Sequence, residues 1–206
     1  MRKKSHISLA KYLITNLKVD DLIEHKKSFY IGSILPDLKP SFFTRRHNIE
    51  ETFEILIEEI KKITIYYDIK QGINSYYARH LGVITHYLAD YCTFPHNSIF
   101  PGSIKEHIFY EKKLKFSLKE YIEERASQRE RNRKQTFHTI EDILNIIRKT
   151  HTDYLNALKN IKVDIQYIVD LCFRVVDAIL HFFEYSYERI MALKYGQSLQ
   201  TGYLQI

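Results

Sequence analysis

The chain has 206 residues, 45% hydrophobic and 27% charged. That suffices for one domain with a real core and excludes a disordered or fibrous chain. A net charge of +6 permits phosphate-bearing partners such as anionic lipid or nucleic acid. Two cysteines, Cys92 and Cys172, exclude a disulfide framework. Both sit in apolar surroundings and read as buried free thiols in a reducing compartment.

The opening stretch, MRKKSHISLAKYLITNLKVDD, begins basic but lacks an apolar core of signal-peptide length and a small-residue cleavage site. Nothing downstream approaches the ~18 apolar residues of a membrane span. The expectation is a cytoplasmic protein with no transmembrane segment. With only 6 Gly and 4 Pro, long helices are expected. Residues 5–30 supply one or two short helices. Gly32 to Arg46 is a loop, because Pro36 and Pro40 bar a continuous helix.

A helix over about 47–66 buries Ile49, Phe53, Leu56, Ile57, Ile60 and Ile63 on one face. A second spans about 73–93. Thr93 to Gly102 forms another loop, broken by Pro95 and Pro101. Helices follow over about 103–130 and 138–159. The segment 163–195 is apolar on most sides and reads as a buried central helix. The basic run Arg125 to Lys134 reads as a solvated charged face in preference to a nucleic-acid patch. No convincing strand pattern appears. The fold expected for residues 1–206 is all-α: one multi-helix bundle.

Ten histidines are the chemical raw material. Zinc takes neutral imidazole and carboxylate ligands from residues converging on one point. A helix presents i and i+4 on one face, since four residues advance about 400°. His47/Glu51, His86/Asp90, His107/Glu111 and His138/Asp142 have that spacing, where about one such pair is expected by chance. The His86/Asp90 pair has the most telling context. It ends an apolar helix in HYLADYCTFPHN, with His96 on the loop beyond Pro95 and His107 and Glu111 opening the next helix. Upstream, Asp37 lies in SILPDLKP and His47 follows ten residues later. Nothing local explains His6.

Other polar residues read as structural. His80, six residues before His86, points to a different side of its helix. His138/Asp142 and His151 are expected to face solvent, His181 to sit in the core, and Glu51 to support His47.

These elements together resemble the bacterial zinc-dependent phospholipase C family. They are the histidine in SHISLAKYL, the GSILPD loop, the histidine in RRHN, and H-x3-D-x5-H followed by H-x3-E. They span residues 6–111. The resemblance implies an all-α bundle with two or three zinc ions. Asp37, His47, His86 and Asp90 would surround one ion; His96, His107 and Glu111 a second; His6 and a bridging Asp90 a third. The family completes its third zinc with the amino group and carbonyl of an N-terminal tryptophan, and this chain has no Trp.

The resemblance further implies hydrolysis of a phosphodiester, phospholipid first, by a metal-bound hydroxide with Asp37 as base. Arg45 and Arg46 could steer the phosphate, and Phe42 and Phe43 lie near in sequence as candidate substrate contacts. Two other readings stand beside it. One is a small-phosphodiester hydrolase or nuclease like the S1/P1 enzymes, whose three-zinc site is similar. The other is a non-catalytic zinc-binding helical protein. No stable nucleic-acid partner is expected.

Overall fold

A computed structural model describes residues 1–38, 47–125, 129–131, 137 and 139–202, with side chains described as far as residue 193. Among these residues there are eight α-helices and no strand. They are α1 (Lys3–Leu17), α2 (Asp20–Glu24), α3 (Lys26–Gly32), α4 (Ile49–Thr64), α5 (Ser75–Tyr91), α6 (Ile104–Glu124), α7 (Ile140–Asn156) and α8 (Ile161–Gly202).

Caps set most of the starts. The Asn48 side chain accepts from the Glu51 N–H, and that of Asn74 from Tyr76 and Tyr77. Ser103 with Glu106, and Thr139 with Asp142, form reciprocal capping boxes. Asp142 is thus engaged in capping; its sequence partner His138 lies outside the described residues.

The core corrects the expected centre. α5 is buried on almost every side from Tyr77 to Cys92, packed between α3, α4 and α8. The expected central segment, now α8, is buried only from about Ile165 to Phe183. Beyond it Glu184, Glu188 and Arg189 interrupt the apolar stripe, and Leu193 is exposed. α6 also stops at Glu124, short of the expected 130.

Within the basic run Arg125 is exposed as expected, but Arg129 and Arg131 are engaged with the protein. Arg129 pairs with Asp170 at 3.0 Å. Arg131 reaches Asp177 at 2.6 Å and grips Glu184 through both terminal nitrogens at 2.6 and 2.9 Å. The charges clamp the segment after α6 onto α8, so their partners are carboxylates of the same chain.

Two glycines bring α3 and α5 together. A Cβ on Gly82 would lie 2.2 Å from the carbonyl oxygen of Phe29 and 2.8 Å from the nitrogen of Ser33. One on Gly32 would meet the Arg79 carbonyl oxygen at 2.0 Å. Only hydrogen fits at either position, so the backbones touch where α3 ends.

Candidate metal centre

The site lies where α1, the C-terminal end of α5, the following loop and the start of α6 meet. α1 carries His6, and α5 carries His86 and Asp90 one turn apart. A 3₁₀ turn over Phe94–His96 carries His96, and the first turns of α6 carry His107 and Glu111. A second 3₁₀ turn, Pro36–Leu38, holds Asp37, and His47 precedes the Asn48 cap of α4.

The structure brings these eight side chains into three groups: His47, His86 and Asp90; His6, Asp37 and His86; and His96, His107 and Glu111. Within each group the ligand atoms all lie within 4.8 Å of one another. His86 Nε2 is 3.0 Å from His47 Nδ1, and Asp90 Oδ2 lies 3.3 and 3.2 Å from the same two nitrogens. Asp37 Oδ1 stands slightly further off, 3.7 Å from His86 and 3.8 Å from His47. Glu111 Oε1 is 3.1 Å from His96 Nε2 and 3.3 Å from His107 Nε2. His96 reaches the other way with Nδ1, 3.5 Å from Asp90 Oδ2, and so joins the third group to the first.

His6 stacks on His86 with ring centroids 4.0 Å apart. Its Nε2 is 3.4 Å from Asp90 Oδ1. Sequence resemblance pairs it with Asp90; the structure adds Asp37 and His86 as neighbours.

Several features fit this donor set to a divalent metal. Ligands about 2.1 Å from a tetrahedral zinc lie about 3.4 Å from one another, the range these contacts occupy. Mixed imidazole and carboxylate donors suit zinc. Both ring nitrogens of His6 are buried with no hydrogen-bond partner, a costly arrangement for a polar group with nothing to bind. Burial, then the neighbouring His86, pushes the His6 pKa down to about 3, so the ring is neutral and has a lone pair to offer. Burial likewise holds His96 below the ordinary histidine value. Burial works to raise the Asp90 carboxyl, but His96, the Met1 amine and His6 outweigh it and keep Asp90 well below the usual carboxylate range.

One further group lies among the candidate ligands. The nitrogen of Met1 lies 2.5 Å from Asp90 Oδ1, 3.0 Å from His96 Nε2 and 3.3 Å from Glu111 Oε1. Burial disfavours its charge, yet the Asp90 and Glu111 carboxylates raise its pKa.

Outer contacts fix the candidate ligands. His86 Nδ1 donates to the Ser33 carbonyl at 2.9 Å, which leaves Nε2 free to ligate. Asp164, at the start of α8, receives the Phe94 N–H at 2.8 Å and the Tyr110 hydroxyl at 2.9 Å on one oxygen. Its other oxygen takes the Tyr154 hydroxyl at 2.8 Å. Phe94 begins the turn of His96, and Tyr110 precedes Glu111.

The remaining sequence candidates fall elsewhere. Phe42, Phe43, Arg45 and Arg46 lie outside the described residues. His80 pairs with Glu59, whose carboxylate also binds Lys62. His151 is buried, contrary to expectation: its Nε2 meets Asn97 Oδ1 at 3.1 Å, because α7 packs its His151 and Tyr154 side inward. His181 lies between Asp177 and Glu184, away from the centre.

A family model described as zinc dependent phospholipase C matches residues 5–161, more than half of the chain. The chain belongs to that family. Membership makes it an all-α, zinc-dependent hydrolase acting on phosphoester bonds. The match takes in all eight residues named above and stops before Asp164 and most of α8. No curated protein and no solved structure matches the chain. Among the described residues, no helix of this phospholipase C family member is long and apolar enough to cross a membrane.

Proposed function

We propose that the chain is a phosphodiester hydrolase of the phospholipase C type, with phospholipid as its substrate class and two or three zinc ions in its centre. The observation that carries this is the sharing of ligands. His86 belongs to two of the three groups, and Asp90 faces both the His47 side and the His96 side. A single stabilising ion needs four ligands and a closed shell. Eight side chains with shared members suit adjacent ions.

Zinc there supplies Lewis acidity, neutralising phosphate charge and lowering the pKa of water. The chain's own residues do the rest. His47, His86 and Asp90 hold one position, and His96, His107 and Glu111 another. His6 projects from α1 toward the shared region. Where the nitrogen of Met1 is a free amine, it is a further donor beside Asp90 and Glu111. Asp37 stands back from the imidazoles, so its carboxylate has room to orient a water and accept its proton.

Arg129 and Arg131 weaken the nuclease alternative, since α8 carboxylates occupy them. The test is hydrolysis of a generic phosphodiester, of phosphatidylcholine and of single-stranded oligonucleotide by zinc-loaded protein. Lipid turnover that Asp37→Asn abolishes is the expected result. Turnover of the oligonucleotide alone would overturn the substrate class, and no turnover by a zinc-replete protein would overturn catalysis.

A further inference from the structure

α6 begins at the metal centre, yet its outer side has the wrong composition for a solvated helix. Ile104 is 80% exposed, Phe109 58% and Phe116 56%, and Ile108 and Ile99 are also exposed. These residues are close to the ligands in sequence. Ile99 is three residues past His96, Ile104 is three before His107, and Ile108 follows His107 directly. At about 100° per residue, Phe109 and Phe116 share the outer face, while Ile104 and Ile108 sit on the flank nearer Glu111.

Lysines are interleaved with them: Lys105, Lys112, Lys113 and Lys115. Two hold their ammonium groups over the exposed rings, Lys113 at 4.5 Å from Phe109 and Lys115 at 4.1 Å from Phe116. Between Ile104 and Phe116 the acids are turned to other uses. Glu106 closes the capping box with Ser103, and Glu111 faces His96 and His107. The next on that face, Glu120 and Glu123, lie one turn and more beyond Phe116, Glu123 paired with Lys119 at 3.5 Å.

We propose that the outer face of α6, with Ile99 on the loop before it, is the surface by which the protein docks on an anionic lipid bilayer. The proposal rests on the phosphodiesterase reading only for what the adjoining site does once docked. Several features favour lipid over other occupants. Exposed large apolar side chains gathered on one helix mark an interaction surface. A helix with Phe and Ile on one side and Lys around them lies in a membrane interface, with apolar groups in the acyl boundary and ammonium groups snorkelling to the phosphates. Lysine is depleted in protein–protein interfaces, which disfavours a protein partner. Aliphatic Ile99, Ile104 and Ile108 have no stacking use for a nucleic acid. An open groove continues the surface on the far flank, lined by Phe100, Phe109, Tyr110, Lys113 and Ile161 together with the polar Glu106 and Asn160.

The test is co-sedimentation of the full chain with vesicles of phosphatidylcholine alone and of equal parts phosphatidylcholine and phosphatidylserine. A Phe109→Glu/Phe116→Glu variant and a Lys112→Glu/Lys113→Glu variant are compared with wild type. All four positions are exposed, and helix content by circular dichroism checks the fold. Wild type should prefer the anionic vesicles and lose binding with added salt. Each variant should bind at least tenfold more weakly, while hydrolysing a water-soluble phosphodiester at the wild-type rate. Equal vesicle binding by wild type and the phenylalanine variant overturns the proposal. So does wild type that ignores vesicles, or that binds single-stranded oligonucleotide through these lysines instead. Vesicle binding without hydrolysis of the soluble substrate leaves the docking surface standing and sinks the phosphodiesterase reading; the reverse pattern does the opposite.

Discussion

The Nδ1 of His86 donates to the backbone carbonyl of Ser33 at 2.9 Å, across the crossing of α3 and α5. That bond settles which ring nitrogen faces His47 and Asp90. It exists because Gly32 and Gly82 let the two backbones touch. Helix packing and metal chemistry thus meet at one hydrogen bond.

Gly82→Ala should therefore damage both. The added methyl would sit 2.2 Å from the Phe29 carbonyl oxygen, and backbone cannot yield as a side chain can. A loss of roughly 1–3 kcal/mol is expected, read by denaturant unfolding, together with lower zinc content in the folded fraction. Wild-type stability in this variant would show that the helices separate freely.

His6→Ala should remove one metal without unfolding the chain. The substitution gives up only the 3.4 Å approach of Nε2 to Asp90, since neither ring nitrogen has a closer polar partner. Metal analysis should show one zinc fewer than wild type, with the remainder retained. Unchanged zinc content would remove His6 from the ligand set.

Asp164 predicts a pH dependence of stability. Burial pushes its carboxyl up to about 6, although Phe94, Tyr154 and Tyr110 all donate to it. A carboxyl raised in the folded state favours folding while protonated. Its contribution is full below the unfolded value near 3.8 and is lost as pH rises through about 6. Relative to wild type, Asp164→Asn should gain stability between pH 4 and pH 7, by up to ~2–3 kcal/mol. A pH-independent difference would refute this. Asp164→Ala tests a positioning role: it should weaken zinc at His96 and Glu111 by roughly 10–100-fold, and Asn should rescue it.

Arg131→Ala should lower stability by roughly 3 kcal/mol, since Arg131 is nearly buried and holds Asp177 and Glu184 together. Thermal unfolding of the variant measures it. A shift within error would mark the pair as surface decoration.

Of the eight side chains that the structure gathers, those on helix faces left local traces in the sequence, whereas His6 was nameable only through the family resemblance. His86/Asp90 and His107/Glu111 have i,i+4 spacing, and Pro95 places His96 just beyond a helix end. The helices were legible for the same reason, through apolar spacing and the prolines that end them. What escaped depends on pairs distant in sequence. Gly32 read as the start of a loop, and its contact with Gly82 has no local signal. Asp164 carries no local sign of the Phe94, Tyr110 and Tyr154 donors that reach it. The nitrogen of Met1 belongs to the backbone, so no side-chain pattern could announce it. His151 looked solvent-facing because its burial comes from Asn97, far along the chain.

The most direct test of the central claim is the zinc content of protein purified without chelators or an affinity metal, measured by elemental analysis per chain. Two or three zincs are predicted, from three ligand groups that share His86 and meet at Asp90. Less than one metal per chain would contradict the account, because the buried His6, whose ring nitrogens make no close hydrogen bond, and the close imidazole and carboxylate groups would then be holding nothing.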